Sequence, residues 1–264
     1  MGKIRIALVG LSASAKTAWA SEAHLPYLLS PRGKSKYEIV ALVNSSAEAA
    51  RKAIAAYGFD EGVHVVRGYG SVGELVEDIE SNPVDLVVVN TRVDVHFGGV
   101  WEALNGKGKG GENGNGNGNG KGKGKGVAVY CEWPLAENGD RAGELVAAAA
   151  AKGVEVVGDG SLKGVERTVV GLQGRVFPLV KRVKEVIANG KIGKVLSSEV
   201  RVFGGVNDRA VLPEGLEYFT RREVGGNVFA IGFAHGEFFL FSFSFYSLSR
   251  RSSFFSFPLP FSVA

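Results

Sequence analysis

The sequence predicts an α/β protein: a Rossmann-type doubly wound parallel sheet followed by an incomplete mixed α/β domain. Three observations lead there. Short Val- and Ile-rich runs alternate with helical patterns over the first 158 residues, as strands buried on both faces of a parallel sheet require. The first strand runs directly into a glycine and a row of small residues, "VGLSASA", which suits a turn that approaches phosphate closely. Right-handed crossovers then make the doubly wound sheet the leading topology.

The strands expected are "IRIALVG" (4–10), "YEIVALVN" (37–44), "VDLVVVN" (84–90), "VAVYCE" (127–132) and "VEVVG" (154–158). Each is a short apolar run bounded by turn residues. Helices are expected roughly over 17–30 and in "SAEAARKAIAAYG", "SVGELVEDIE", "VDVHFGGVWEAL" and "NGDRAGELVAAAAAKG". Residues 1–158 then form the dinucleotide-type domain, 159–237 a partial C-terminal α/β domain, and 238–264 an aberrant tail.

Two segments break the pattern. Residues 106–126 alternate Gly with Lys or Asn, cannot bury apolar area, and are expected to be disordered. The segment falls in a helix-to-strand loop, at the amino ends of the strands and opposite the ligand crevice. A flexible coil of that length spans roughly 25 Å, so it can close the turn without disturbing the sheet. In the tail, 22 of the 27 residues from Phe238 to Ala264 are Phe, Ser, Leu or Pro, amino acids encoded by pyrimidine-rich codons. The "GEF" before it can be encoded through GTGAGT, an intron donor sequence. The expectation is translation into a retained intron after His235; the alternative is an edge strand.

Composition bounds the function. Apolar content of 45% and charged content of 22% are those of a globular protein. One cysteine, Cys131, excludes a disulfide framework and a cysteine metal cluster. No run of 18 clean apolar residues occurs, so no membrane span is expected, and the start has no leader character, which points to an intracellular protein. The chain holds 31 basic and 27 acidic residues; five lysines and Glu112 fall within 106–126, leaving 26 of each sign elsewhere. The folded part is neutral, so the pI near 9.1 does not provide a basic face, and no direct nucleic-acid contact is expected.

The glycine turn carries the first candidate site. Gly10, Leu11, Ser12, Ala13 and Ser14 form a degenerate G-x-G-x-x-G, with Ser12 and Ala15 at the later glycine positions. A rival reading is a phosphate loop, since "GLSASAKT" differs from G-x-x-x-x-G-K-T by Ala15. That site also wants an acid ending a later strand, whereas these strands end in Asn44 and Asn90. A plain turn without ligand is the third reading. After the second strand, Asn44, Ser45 and Ser46 are neutral donors and Arg51 follows in the helix. A carboxylate selecting NAD is missing there, so both NAD and NADP are accommodated.

These stretches together resemble a family. "GLSASAKTAWASEAHLP", "NTRVDVH", "CEWPLA" and "LQGRVFPLVKRVKEVIANGKIGKV" are similar to the Gfo/Idh/MocA oxidoreductases, most of all to the branch containing the fungal galactose-regulon repressor. The resemblance covers residue 3 to His235, interrupted by the insert. It implies a dinucleotide site that also uses Asn90, Thr91, Arg92, His96, Glu132, Trp133 and Pro134. It further implies a second domain starting near 159, with a helix in "GRVFPLVKRVKEVIANG" and a long strand in "KVLSSEVRVFGG". Members usually run well past this length.

Catalytic members read Glu-Lys-Pro at the turn after the fifth strand, the lysine helping move the substrate hydroxyl proton. Here that position is Trp133, whose indole does not titrate near neutrality. The family also places an Asp four residues before a His. His235 matches the His, but Ile231 stands at the Asp position. The repressor branch likewise carries Trp after the Glu. Trp133 also reads as a core aromatic, His96 as a structural histidine, and Arg175 as either a ligand contact beside Gln173 or a solvated charge. His235 is left as a weak catalytic candidate.

The resemblance therefore implies a nucleotide-sensing regulator with NAD or NADP as ligand. The alternative is an NAD(P)-dependent oxidoreductase acting on a sugar or cyclitol. Implied partners are an acidic transcription activator, a sugar-kinase-like inducer and, for the intact protein, a second copy; the implied location is cytoplasm, nucleus or both.

Overall fold

The computed structural model describes residues 2–15, 19–59, 65–106, 127–151, 168–196 and 217–224. The chain divides into two compact units, one of residues 1–171 and 207–231, the other of 172–206 and 232–264.

The first unit is built on a six-stranded parallel sheet: β1 (Ile4–Val9), β2 (Tyr37–Val43), β3 (Arg67–Tyr69), β4 (Leu86–Val89), β5 (Ala128–Glu132) and β6 (Val169–Gly171). Their order across the sheet is β3-β2-β1-β4-β5-β6, the Rossmann order. The ladders align Val9 with both Val43 and Val89, and Val89 with Cys131. The carboxyl ends of β1, β2, β4 and β5 therefore finish level.

Alternate residues of each strand feed two cores, which is why the strands read as continuous apolar runs. Ala7, Val9, Val87, Val89, Val129 and Cys131 pack on one face with Leu75, Val100, Leu104 and Leu145 from three helices: α4 (Val72–Glu77), α5 (His96–Asn105) and α6 (Gly139–Ala151). Ile6, Leu8, Leu42 and Val88 pack on the other with Leu25, Leu28, Ala53 and Ile54. Those come from α1 (Leu25–Leu29) and α3 (Ala47–Ala56), with the short α2 (Pro31–Lys34) between them.

Helix starts follow their caps. Ser46 and Ser71 accept the amides of Ala49 and Glu74, each at 3.1 Å, and the side chain of Asn138 accepts the Arg141 amide at 2.9 Å. The helix expected over 17–30 is present in its described part, 19–29, with a local π-helical stretch. It runs as a π-helical turn over Ala20–His24 and then α1, and Pro31 starts α2 under a Ser30 cap. Pro31 lacks the amide needed to continue α1, so the helix ends at the expected place and α2 starts anew. The strands β3 and β6 add to those expected. Each is three residues long, too short for a period-two pattern. The expected strand 154–158, the insert from 107 and the tail lie outside the described residues.

The loop that carries the insert leaves and returns at the amino edge of the sheet. Gly106 closes α5 with φ +71°, and the Val127 amide donates to the Ala103 carbonyl at 3.1 Å. Also at that edge, Asp85 accepts the Arg5 amide and the forked Arg5 guanidinium at 2.8–3.0 Å. Arg5 holds the Asp85 carboxyl below its ordinary pKa.

In the second unit, a 3-10 turn over Gln173–Val176 leads into α7 (Pro178–Ala188), which stops at Gly190 with φ +66°. Pro178 suits the first turn of a helix because no intrahelical amide bond is lost there. No helix among the described residues is long and apolar enough to cross a membrane.

Leu8 is fully buried, so Leu8→Ala is expected to cost about 2–5 kcal/mol by denaturant unfolding. Asp85→Ala is expected to cost no more than about 1 kcal/mol at neutral pH, because the pair is about one-third exposed on both sides. The ordinary carboxyl titrates near 3.9. The wild-type advantage over Asp85→Ala is thus complete above that pH and disappears as pH falls through the lower folded value. Unfolding curves taken at several pH values measure both.

Candidate functional site

The carboxyl ends of β1, β4 and β5 meet at the point where strand order reverses, the usual place for a ligand crevice in this architecture. Gly10 ends β1 with φ +92°; a Cβ there would stand 2.8 Å from Thr91 Cγ2 and 3.3 Å from the Asn90 backbone. Only glycine gives both the left-handed backbone and this approach of two strand ends. The Gly10 amide donates to Val43 O at 2.9 Å and the Asn90 amide to Val9 O at 3.1 Å, so each exit continues its ladder by one bond.

Leu11 turns into the core and is fully buried. Its carbonyl accepts from Asn44 Nδ2 at 2.9 Å. Asn44 is therefore a strut between the glycine turn and the end of β2. Ser46 is engaged as the cap of α3, while Ser45 is exposed. Within the turn the Ser14 amide donates to Ser12 Oγ at 3.3 Å, and the Tyr57 hydroxyl donates to Ser12 O at 3.4 Å. Ala13, Ser14 and Ala15 are exposed. Lys16 and Thr17, on which the phosphate-loop reading depends, lie outside the described residues.

After β4, two polar atoms are buried with no hydrogen-bond partner, Asn90 Oδ1 and Thr91 Oγ1. Orphaned buried acceptors are costly and fit a site whose ligand supplies hydroxyl or amide donors. Arg92 is exposed and folds onto Asp94, 2.7 Å from Nε to Oδ1, which holds the Asp94 carboxyl below its usual range. Its guanidinium also stands 5.7 Å from the Tyr218 ring centroid.

His96 opens α5 and is 1% exposed. Its Nδ1 lies 2.7 Å from the Pro134 carbonyl and its Nε2 2.8 Å from the Thr91 carbonyl. One ring thus joins the turn after β4 to the turn after β5. A neutral imidazole donates to one acceptor only; the imidazolium donates to both. Burial, the larger influence, pushes the pKa down against the two carbonyls.

After β5 comes the cis Trp133–Pro134 bond, with Trp133 half-buried and Pro134 buried. Glu132 is buried, and its Oε1 accepts from His24 Nε2 at 2.5 Å and from the Tyr130 hydroxyl at 3.2 Å. Burial, then the Glu132 charge, pushes the Tyr130 phenol pKa up. Burial does the same to Cys131, leaving an inert thiol.

Of the expected site residues, contacts tie Gly10, Leu11, Asn44, Asn90, Thr91, His96, Glu132 and Pro134 into one connected edge. Arg51 instead lines a cavity of about 560 Å³ along the edge strand β3, with Ile54, Val66 and Arg67. Gln173 sits in the second unit, where its buried Oε1 has no partner. The Arg175 side chain, Ile231 and His235 lie outside the described residues. His24 and Tyr130 were not anticipated. The available signal was the alternation in "VAVYCE", which puts Tyr130 and Glu132 on one face of β5. Among the described residues no group of three or more His, Cys, Asp or Glu could hold a metal ion.

Residues 178–249 match the family described as the Gal80p C-terminal domain; the match includes 238–249, which the sequence reading places in the tail. Dehydrogenase aclE of Aspergillus oryzae is 31% identical over 76% of this chain and 44% of its own length. The galactose/lactose metabolism regulatory protein GAL80 of Saccharomyces cerevisiae is 28% identical over 76% of this chain and 38% of its own. A crystal structure of a super-repressor mutant of Gal80p from the same yeast superposes with TM-score 0.53 at 24% identity. It covers 73% of this chain and 40% of that one. The chain spans about two-fifths of the length of these relatives.

Gly10→Ala is expected to destabilise by about 1–3 kcal/mol, measured by thermal melting. As pH falls past about 6.5, the unfolded chain takes up a proton before buried His96 does. Stability then declines with falling pH until the folded His96 value is reached. His96→Gln is expected to flatten that slope in denaturant unfolding between pH 7 and 5.

Proposed function

We propose that this chain, a relative of the Gal80-type proteins on the frame of the Gfo/Idh/MocA oxidoreductases, is a dinucleotide-binding regulator. In this reading NAD or NADP is a sensed ligand rather than a hydride carrier. The observation that carries it is Trp133. It stands half-buried at the ligand edge, where the catalytic pattern of the resembled family has lysine, and an indole N–H cannot take up a proton from a substrate hydroxyl.

The residues present fit the cofactor. The glycine turn gives close backbone approach, and Asn90 Oδ1 and Thr91 Oγ1 are acceptors without partners. The neutral exit of β2, with Asn44, Ser45 and Ser46, accommodates both NAD and NADP. The regulator's partners would be an acidic transcription activator and a sugar-kinase-like inducer, with a second copy of the intact protein. Its location would be the cytoplasm, the nucleus or both.

A second reading, an NAD(P)-dependent oxidoreductase of sugars or cyclitols, is favoured by the 31% identity to a protein named a dehydrogenase. Two measurements separate them. Quenching of tryptophan fluorescence by NADH and NADPH is expected to show saturable binding that Trp133→Phe diminishes, against the background of Trp19 and Trp101. NADP or NAD reduction with a panel of polyols and cyclitols is expected to show no turnover. Turnover by the unmutated chain overturns the regulator reading, and absence of binding at millimolar dinucleotide overturns both.

A further inference from the structure

The cluster His24–Glu132–Tyr130 lies beside the dinucleotide edge and is not needed to explain the fold. We infer that His24 is a positioning residue that fixes the Glu132–Trp133–Pro134 turn against the helix leading off the glycine turn, so that the phosphate-binding and nicotinamide-binding halves of the site are held in one arrangement. The inference rests on the dinucleotide-binding reading for its ligand and on the geometry for its mechanism.

His24 closes the π-helical turn Ala20–His24, in which the Leu25 amide donates to Ala20 O. Such turns carry one extra residue and commonly sit at functional sites. The imidazole reaches across the sheet to a strand 108 residues away, 2.5 Å from Nε2 to Glu132 Oε1. Its ring also meets Tyr130 edge-on, with centroids 5.5 Å apart. The carboxylate is caught from two sides, since the Tyr130 hydroxyl donates to the same oxygen at 3.2 Å. Both side chains of the pair are mostly buried, 21% and 10% exposed.

A buried carboxylate needs its donors. The partner could have come from the adjacent strand or from solvent, yet it comes from the first crossover. The next residue along the chain is Trp133, and the Pro134 carbonyl is in turn taken by His96. The turn is therefore pinned at both ends, by His24 on one side and His96 on the other. Gly171 contributes as well: a Cβ there would stand 2.2 Å from the Tyr130 hydroxyl oxygen, so glycine on β6 leaves room for the phenol that completes the cluster.

The mechanism predicts a selective loss. ADP-ribose, which lacks the nicotinamide, senses the glycine turn; NADH senses both halves. His24→Ala should weaken NADH about tenfold or more, what one hydrogen bond to a charged group is worth. ADP-ribose should change less than about twofold. His24→Gln, which keeps an N–H donor, should restore NADH to within about threefold of wild type.

The second readout needs no ligand. In a Trp19→Phe, Trp101→Phe background, acrylamide should quench Trp133 more readily in His24→Ala than in the parent or in His24→Gln. Unchanged quenching in a folded His24→Ala protein overturns the inference, as does equal loss of NADH and ADP-ribose, or failure of Gln to rescue. Should the unmutated chain bind no dinucleotide, the functional reading falls, while the quenching comparison still decides whether His24 positions the turn.

Discussion

The buried imidazole of His96, set between the Thr91 and Pro134 carbonyls, ties the ligand edge together. The paired registers end at Val89 and Glu132, with one further bond from the Asn90 amide to Val9 O, and the turns that follow need other ties. The buried His96 ring provides one, lodged between one carbonyl of each turn and donating to one of them while neutral, with His24 holding Glu132 on the other side. Gly10 can approach Thr91 closely only because that turn is held, and Trp133 and Pro134 stand where they do because the second turn is tied to it. Low dielectric strengthens such a buried contact and makes its loss expensive.

Much of the fold was legible in the sequence, because a buried parallel strand leaves an unmistakable run of Val, Ile and Leu. "IRIALV", "YEIVALV" and "AVYCE" were found within a residue or two. The strands that were missed, "RGY" and "VVG", owe their existence to a neighbour offering a free edge, which is not a property of three residues. The end of the first helix before Pro31 was legible from proline's missing amide, whereas the π-helical turn inside it, Ala20–His24, was not.

The site divides along the same line. Gly10, Asn44, His96 and the Glu-Trp-Pro turn could be picked out because each ends a predicted strand or opens a predicted helix. What they do there was not legible. Asn44 and Ser46 read as ribose donors, and the structure employs them as a strut and a cap. Glu132 read as a cofactor contact, and its carboxylate is bound to His24 and Tyr130. His24 could not be placed from sequence because its partner is 108 residues away.

The distribution of charge bears on the regulator reading proposed for this edge. Arg92 is folded onto Asp94, and Glu132 is held by two donors. Among the described side chains at this edge, Asn90 Oδ1 and Thr91 Oγ1 are neutral acceptors without a partner. Dinucleotide binding rests on backbone amides and such neutral groups, spread over several strand ends and insensitive to any one side chain. Hydride transfer from an alcohol depends on a single base placed and tuned for one proton. On the regulator reading proposed above, tryptophan at the position of that lysine removes the proton acceptor while leaving the backbone frame of the site unchanged.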